Sequence, residues 1–337
     1  QQAVIWLAKK PACRSKRRGE CMPLFEWDWT FSVTLRFVKN VDRKNTVADA
    51  KYRILAQGGI YVSHNTDGQL AVLADALRRC DAGATLIHLS DESGRQTKSY
   101  PKWSVIIRQY WDKDVANNPR WKDKLVVIPL GAASDFWLHD ENQLRGHPEK
   151  LSNVTARLYK WAFYGDTRKS TRPLMIAAMN KVPGGLYHIS HGFAGKDMIS
   201  PYIVRETLMQ SMFCPAPTGF SSPDSFRFSE ALESGCLPIV DAWGPGRSEF
   251  AENLTYSTRG YFQEYFEHWG EGDAVKNFIM QVSDGSAWSD VPSHIAAAVR
   301  NMSALQAKQV AMVLWWTEFK DKLARKIADL ILQNKPR

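Results

Sequence analysis

Cysteine is scarce in this chain: five in 337 residues, an odd number, with no Cys-x-x-Cys pair among Cys13, Cys21, Cys80, Cys214 and Cys236. That spacing excludes a disulfide framework and a cysteine-built zinc site. Cys214 and Cys236 fall at apolar strand edges, where cysteine behaves as a small buried hydrophobe. Cys13 and Cys21 would pair across a short basic loop only in an oxidising compartment, which spacing does not decide. Long apolar runs are missing too: Ala3 to Ala8 falls far short of the ~20 residues of a membrane-spanning helix. Since the first residue is Gln1 rather than Met, a membrane anchor or targeting segment outside this sequence is left open, and the compartment with it. There is no short internal repeat and no low-complexity tract, which sets aside solenoids and linkers.

Metal-binding patterns are equally thin. His188 and His191 in YHISHGF have a ligand-like spacing but no carboxylate or cysteine beside them. Asp112 and Asp114 in WDKD form an Asp-x-Asp pair without the leading strand that a Mn²⁺ site of that type requires, so they read as solvent-facing and no metal is expected. Zinc-finger spacing and RNA-binding signatures are also lacking. The basic cluster at residues 9 to 18 stands without them, and no nucleic-acid partner is expected.

What the chain does hold is a globular composition with a heavy aromatic load. It is 44% hydrophobic and 12% aromatic, with 13 tryptophans. Carbohydrate surfaces use such side chains, but core packing is the commoner employment of any one tryptophan. Charge is uneven: residues 1 to 50 carry 10 Lys/Arg against 5 acids, more than half of the net +9. This segment reads as a basic arm beside a small packed element. Asn153, Asn253 and Asn301 open Asn-x-Ser/Thr triplets that would permit N-glycosylation in a secretory lumen.

Alternating strand and helix signals predict an α/β chain of two βα-type domains. Gly59 to His64 reads as an apolar strand, Gln69 to Cys80 as an amphipathic helix, and Ala84 to Leu89, Ser104 to Arg108 and Leu125 to Leu130 as buried strands. Val154 to Phe163 begins a helix or linker, and the strand pattern restarts at Pro173 to Met179. Leu305 to Leu332 reads as a long closing helix with a break near Trp315 and Trp316. The expected division is therefore a basic segment over 1–50, an acceptor domain over 51–160, a donor domain over 161–304 and a closing helix over 305–337 returning to the first domain, with the crossover at Leu151 to Tyr164.

The densest stretch is SMFCPAPTGFSSPDSFRFSEALESGCLPIV, Ser211 to Val240. Met212 to Ala216 reads as a strand, Pro217 to Pro223 as a loop, Asp224 or Ser225 as an N-cap, and Gly235 as the residue that stops the helix before the strand Leu237 to Val240. A helix N-terminus after such a loop offers backbone N–H groups and a positive dipole end, which suit a diphosphate. Arg227 and Glu230 lie one turn apart on that helix, placed for phosphate and for a sugar hydroxyl respectively.

The pattern formed by Phe213, Cys214, Pro217, Gly219, Ser225, Arg227, Glu230, Ala231, Leu232, Gly235, Cys236, Pro238 and Val240 resembles the donor segment of exostosin-like glycosyltransferases, family 47. HLSDES (His88 to Ser93), VIIRQYW (Val105 to Trp111), VIPLG (Val127 to Gly131) and MVLWWTEFKDKL (Met312 to Leu323) are similar to the ribitol xylosyltransferase-like group within it. The likeness runs from Tyr52 to Leu332. It implies a GT-B fold, two Rossmann-like domains facing a cleft. It also implies inverting, metal-independent transfer of a sugar from a UDP-sugar co-substrate to a glycan or glycoconjugate acceptor, with no other cofactor. The alternative is an inactive glycan-binding or scaffold partner that kept the fold.

For that chemistry the donor side would use Arg227, Ser225, Gly219 and Glu230, with Arg168 and Arg172 at the start of the second domain. A general base should come from the end of a first-domain strand: Asp91 and Glu92 follow Ala84 to Leu89, and His64 closes Gly59 to His64. Arg108 and Tyr110 would be acceptor-side residues.

Overall fold

A computed structural model describes residues 3–7, 29–30, 33, 41–44, 60–64, 85–89, 91, 97–133, 136, 151–168, 170–190, 199–219, 222–241, 260–282 and 286–334. The fold is α/β and Rossmann-like twice over: there are two sheets, and every pair of neighbouring strands in each is parallel. The chain divides into one unit of Gln1–Phe25, Thr30–Pro129 and Asp321–Arg337, and another of Glu26–Trp29 and Leu130–Lys320.

The first unit holds β1 (Ala3–Leu7), β2 (Val41–Lys44), β3 (Ile60–His64), β4 (Thr85–Leu89), β5 (Val105–Gln109) and β6 (Leu125–Ile128), in the order β2-β1-β3-β4-β5-β6. Strands β4, β5 and β6 are buried along their whole length, as expected of parallel strands covered on both faces. Two stretches of the basic segment are thus strands of this sheet rather than parts of a separate arm. AVIWL is the continuous apolar run an inner parallel strand needs, and the charged VDRK sits at the edge. The helix expected at Gln69 to Cys80 lies outside the described residues. After β5 come the short helix α1 (Lys113–Ala116), which Asp112 caps by accepting a hydrogen bond from the Val115 N–H at 2.8 Å, and the exposed Asp114.

The second unit holds β7 (Tyr159–Gly165), α2 (Arg172–Met179), β8 (Gly185–Ile189), α3 (Pro201–Met209), β9 (Ser211–Ala216), α4 (Phe226–Glu233), β10 (Leu237–Asp241), α5 (Tyr261–His268), α6 (Gly272–Phe278), β11 (Met280–Val282) and α7 (Val291–Val299). Its sheet order is β8-β7-β9-β10-β11. Taken in chain order this is the doubly wound pattern 2-1-3-4-5, which places a switch point between β7 and β9.

Two segments differ from expectation. The first strand of this unit is β7, where a helix or linker was expected, and Pro173 to Met179 is helix α2 rather than a strand. Short apolar runs do not distinguish the two states by periodicity, and Pro173 at the helix start was the available signal. The units divide between Pro129 and Leu130, and residues 152–157 are bonded within the second unit. Arg157, buried, donates to the carbonyls of Ser152, Leu208, Ser211 and Ser234, and the Val154 N–H donates to Gln306 and Gln309.

The closing helix α8 (Met302–Gln333) is continuous through Trp315 and Trp316. Those two rings are buried and stack with Phe319, so packing holds the turn where a break was expected. Residues from Asp321 onward group with the first unit. The aromatic load goes into the core: Phe228 of α4 meets Phe262 of α5 at 4.2 Å between ring centroids, and Phe266 meets Trp315 at 5.1 Å. Among the described residues no helix is long and apolar enough to cross a membrane.

Candidate functional site

At the carboxyl end of β7 the chain turns at Gly165, whose φ of +145° disfavours any side chain. A Cβ there would sit 1.9 Å from Nη2 of Arg227. Glycine at 165 thus opens the space that the guanidinium of α4 occupies. The Arg227 Nε–H donates to the Tyr164 carbonyl at 2.6 Å, and the guanidinium lies 5.2 Å from the centre of the Phe163 ring. Arg227 is half-buried; burial lowers its pKa, opposed by the charges of Glu230 and Asp166. The sequence places Arg227 far from residue 165, and the switch-point geometry brings the two together.

The loop after β7 is bound around Asp166. Its carboxylate receives the Arg168 backbone N–H at 2.9 Å and the guanidinium in a bidentate pair, at 3.0 and 2.9 Å, while the Arg168 side chain stays 66% exposed. Arg172, buried at the start of α2, donates to the Asp166 carbonyl at 2.8 Å. Arg168 therefore lies on the strand-to-helix loop and Arg172 at the first position of α2, neither at the start of a strand, and Asp166 bonds both. Of the two, Arg168 presents a solvent-accessible cation.

The loop after β9 is built just as tightly. The Gly219 N–H donates to the Ser222 carbonyl at 2.8 Å, and a Cβ on Gly219 would meet that same oxygen at 3.0 Å. Asp224 accepts from the Leu130 N–H at 2.9 Å. Ser225 is the N-cap of α4 in extended conformation, yet its side chain makes no capping hydrogen bond, and its buried hydroxyl has no partner among the described residues. Asp241, at the end of β10, locks the loops together. It accepts from the Thr171 hydroxyl, from the Thr218 N–H at 2.6 Å and hydroxyl at 2.8 Å, and from the Trp288 indole at 3.2 Å. Burial raises its pKa, and those hydrogen bonds counter only part of the rise.

Glu230 is 6% exposed; burial raises its pKa, while the Arg227 charge and a long hydrogen bond from the Ala133 N–H (3.4 Å) act the other way. At the far end of α4, Glu233 accepts from the indoles of Trp29 (3.0 Å) and Trp316 (2.9 Å) and pairs with Lys320 Nζ at 2.6 Å, with both charged groups buried. A Cβ on Gly131 would strike the Trp29 ring at 2.4 Å, so this glycine lets the indole pack against the backbone. Glu233, Asp241, Asp166 and Trp29 carry the site's framework, and sequence reading missed all four. Asp166 and Asp241 sit at the carboxyl ends of strands, a position that marks them once the strands are known.

The first unit distributes its candidates differently. Asp91 is 2% exposed, its carboxylate lies 3.5 Å from Nη1 of Arg108, and its carbonyl accepts from Arg108 Nη2 at 3.1 Å. Arg108, expected on the acceptor side, is fully buried and also donates to the Gln109 carbonyl and the Tyr100 hydroxyl. Tyr100 in turn bonds His88 Nδ1 at 2.8 Å, and burial pushes its phenol up to about 12, so it stays neutral. Register sets His88 beside Arg108 on β4 and β5, which explains why these polar groups meet. Tyr110, buried at φ +62°, is a second expected acceptor residue turned into the core. Glu92 and His191 lie outside the described residues, and the side chain of His64, at the end of β3, does too. His188 lies on β8 beside Tyr164, ring centroids 6.3 Å apart. Among the described residues no group of three or more His, Cys, Asp or Glu is placed to hold a metal ion. Cys214 and Cys236 are buried free thiols.

No family model and no curated protein sequence matches the chain. Among solved structures, an α1,3-fucosyltransferase aligns over 97% of this chain and 90% of its own, at 9% identity and a TM-score of 0.48. T4 phage BGT, in complex with its UDP-glucose substrate, aligns over 98% of each chain at 12% identity and a TM-score of 0.46.

Proposed function

We propose that the protein is a glycosyltransferase of the exostosin-like, GT-B type, inverting and independent of metal, that moves a sugar from a UDP-sugar to a glycan or glycoconjugate acceptor. The second unit would take the donor and the first the acceptor. One observation carries the reading: Arg227, at the N-terminus of α4, lies against Gly165 at the switch point between β7 and β9, where doubly wound sheets bind their ligands. In the reaction an acceptor hydroxyl loses its proton to a base as its oxygen bonds the anomeric carbon, and the bond to the diphosphate breaks on the opposite face. Negative charge grows on the departing UDP. Arg227, the exposed Arg168 and the first turn of α4 would meet that charge, and the Ser225 hydroxyl would find a phosphate oxygen as partner. Glu230 would accept from ribose hydroxyls.

Arg227→Ala is expected to weaken UDP binding by about 1.5–3 kcal/mol, the range of a charge-assisted contact. Gly165→Ala should reproduce much of that loss without touching the guanidinium chemically, because the new methyl occupies its place. Calorimetric titration of both folded variants checks this, and unchanged affinity in either removes Arg227 from the donor site. Turnover should also survive EDTA; strict Mn²⁺ dependence would count against a diphosphate held by arginines and backbone alone.

The scaffold reading is favoured by a different observation: Asp91, among the base candidates, is buried and committed to Arg108. A panel of nucleotide sugars, scored by thermal shift and by hydrolysis, separates the two. Selective stabilisation names the donor, and stabilisation without turnover on any acceptor or water would favour the scaffold.

A further inference from the structure

We propose that the second unit binds a small monocyclic aromatic carboxylate in a cavity at the amino-terminal side of its sheet, apart from the loops around Arg227. The cavity is half open to solvent and has a volume of about 180 Å³; Phe213, Leu237, Phe278, Met280 and Leu305 line it together with the exposed Ala297, Asn301 and Ala304, and Lys308 borders it. Leu237 and Met280 open β10 and β11, whereas Gly165, Thr218 and Asp241 stand at or beyond the carboxyl ends of their strands. From Leu237 to Asp241 the strand rises about 13 Å, so an occupant here would not touch the nucleotide loops.

Size and charge together define the occupant. An apolar cavity of roughly 150 Å³ holds one benzene ring, so a hollow of about 180 Å³ has room for a single six-membered ring. Two phenylalanine rings and a thioether offer the contacts that aromatic ligands favour. Lys308, on α8, is half-buried, and its pKa is lowered by burial with no opposing charge. Among the described residues it has no carboxylate partner. An ammonium drawn partly out of water beside an apolar hollow is relieved by an anion whose remaining body is apolar. Neutral arenes satisfy the walls but not the lysine, and inorganic anions do the reverse.

The test titrates the whole chain with benzoate and with its neutral counterpart benzamide, followed by ligand-observed NMR and calorimetry. Benzoate should bind saturably and benzamide about tenfold more weakly, the difference expected for one charge-assisted contact. Lys308→Met should lose about the same factor for benzoate and leave benzamide unchanged. Ala298→Leu, which adds bulk to the cavity lining, should abolish binding of both while UDP affinity and circular dichroism stay those of the parent. Equal benzoate affinity in parent and Lys308→Met, equal binding of benzoate and benzamide, or no saturation at concentrations on the order of 10 mM would each overturn the proposal. Since UDP is titrated separately, failure here leaves the donor reading standing, and failure of UDP to bind leaves this one standing.

Discussion

Glu233→Ala is expected to cost about 3–5 kcal/mol of stability, the penalty typical of removing one partner from a buried ion pair. The substitution takes away the carboxylate that faces Lys320 and the acceptor shared by the Trp29 and Trp316 indoles, all of them within a few per cent of full burial. Urea unfolding followed by tryptophan fluorescence reads the effect where it arises. A control separates charge from packing. Glu233→Gln combined with Lys320→Met keeps an acceptor for the indoles and removes both charges, and should recover most of the loss, since apolar replacement of a buried pair is often neutral or better. A loss below about 1 kcal/mol in Glu233→Ala would mean that the pair is solvated in solution, because only exposed pairs are worth so little. The same helix carries Arg227 at its other end, so UDP affinity should fall along with stability in Glu233→Ala and return in the double variant.

Much of this fold is legible because the chemistry of a parallel sheet is written in runs. TLIHL, VIIRQ and LVVI are largely apolar stretches of strand length, and Gly235, at φ +60°, ends α4 where a helix-stopping glycine belongs. The segment from Ser211 to Val240 was readable for a related reason: strand, loop, N-cap and helix follow one another without interruption. What could not be read is whatever depends on residues distant in sequence. Nothing local says that Gly165 clears space for Arg227, or that Asp241 ties Thr171 to Thr218. The apolar run of β7, YKWAFYG, passes equally for helix or strand, and only its pairing with β8 and β9 decides. Asp91 is the opposite case. A carboxylate just past a strand looks available, and the arginine that claims it comes from the neighbouring strand.

That burial bears directly on the base. If Glu92 is the base, Glu92→Gln should lower turnover by roughly 10²–10⁴-fold with UDP affinity nearly unchanged, because general-base transfer contributes on that scale and a base on the acceptor side would not contact the nucleotide. Asp91→Asn should behave differently. It unpairs a buried guanidinium, so its first effect is on stability, and any loss of turnover should follow the fraction unfolded rather than pH. Measuring UDP affinity and unfolding alongside turnover distinguishes the two outcomes in one series. His64→Ala should show the signature of a base only if both carboxylates are bystanders, and the parent's pH–rate profile would then bend near an imidazole pKa of about 6.5. A folded Asp91→Asn variant that binds UDP normally yet loses turnover a thousandfold would return Asp91 to the reaction, with Arg108 as its positioning partner. Full turnover in all three single variants would move the proton to the acceptor itself or to water, and with it the claim that the first unit supplies a base.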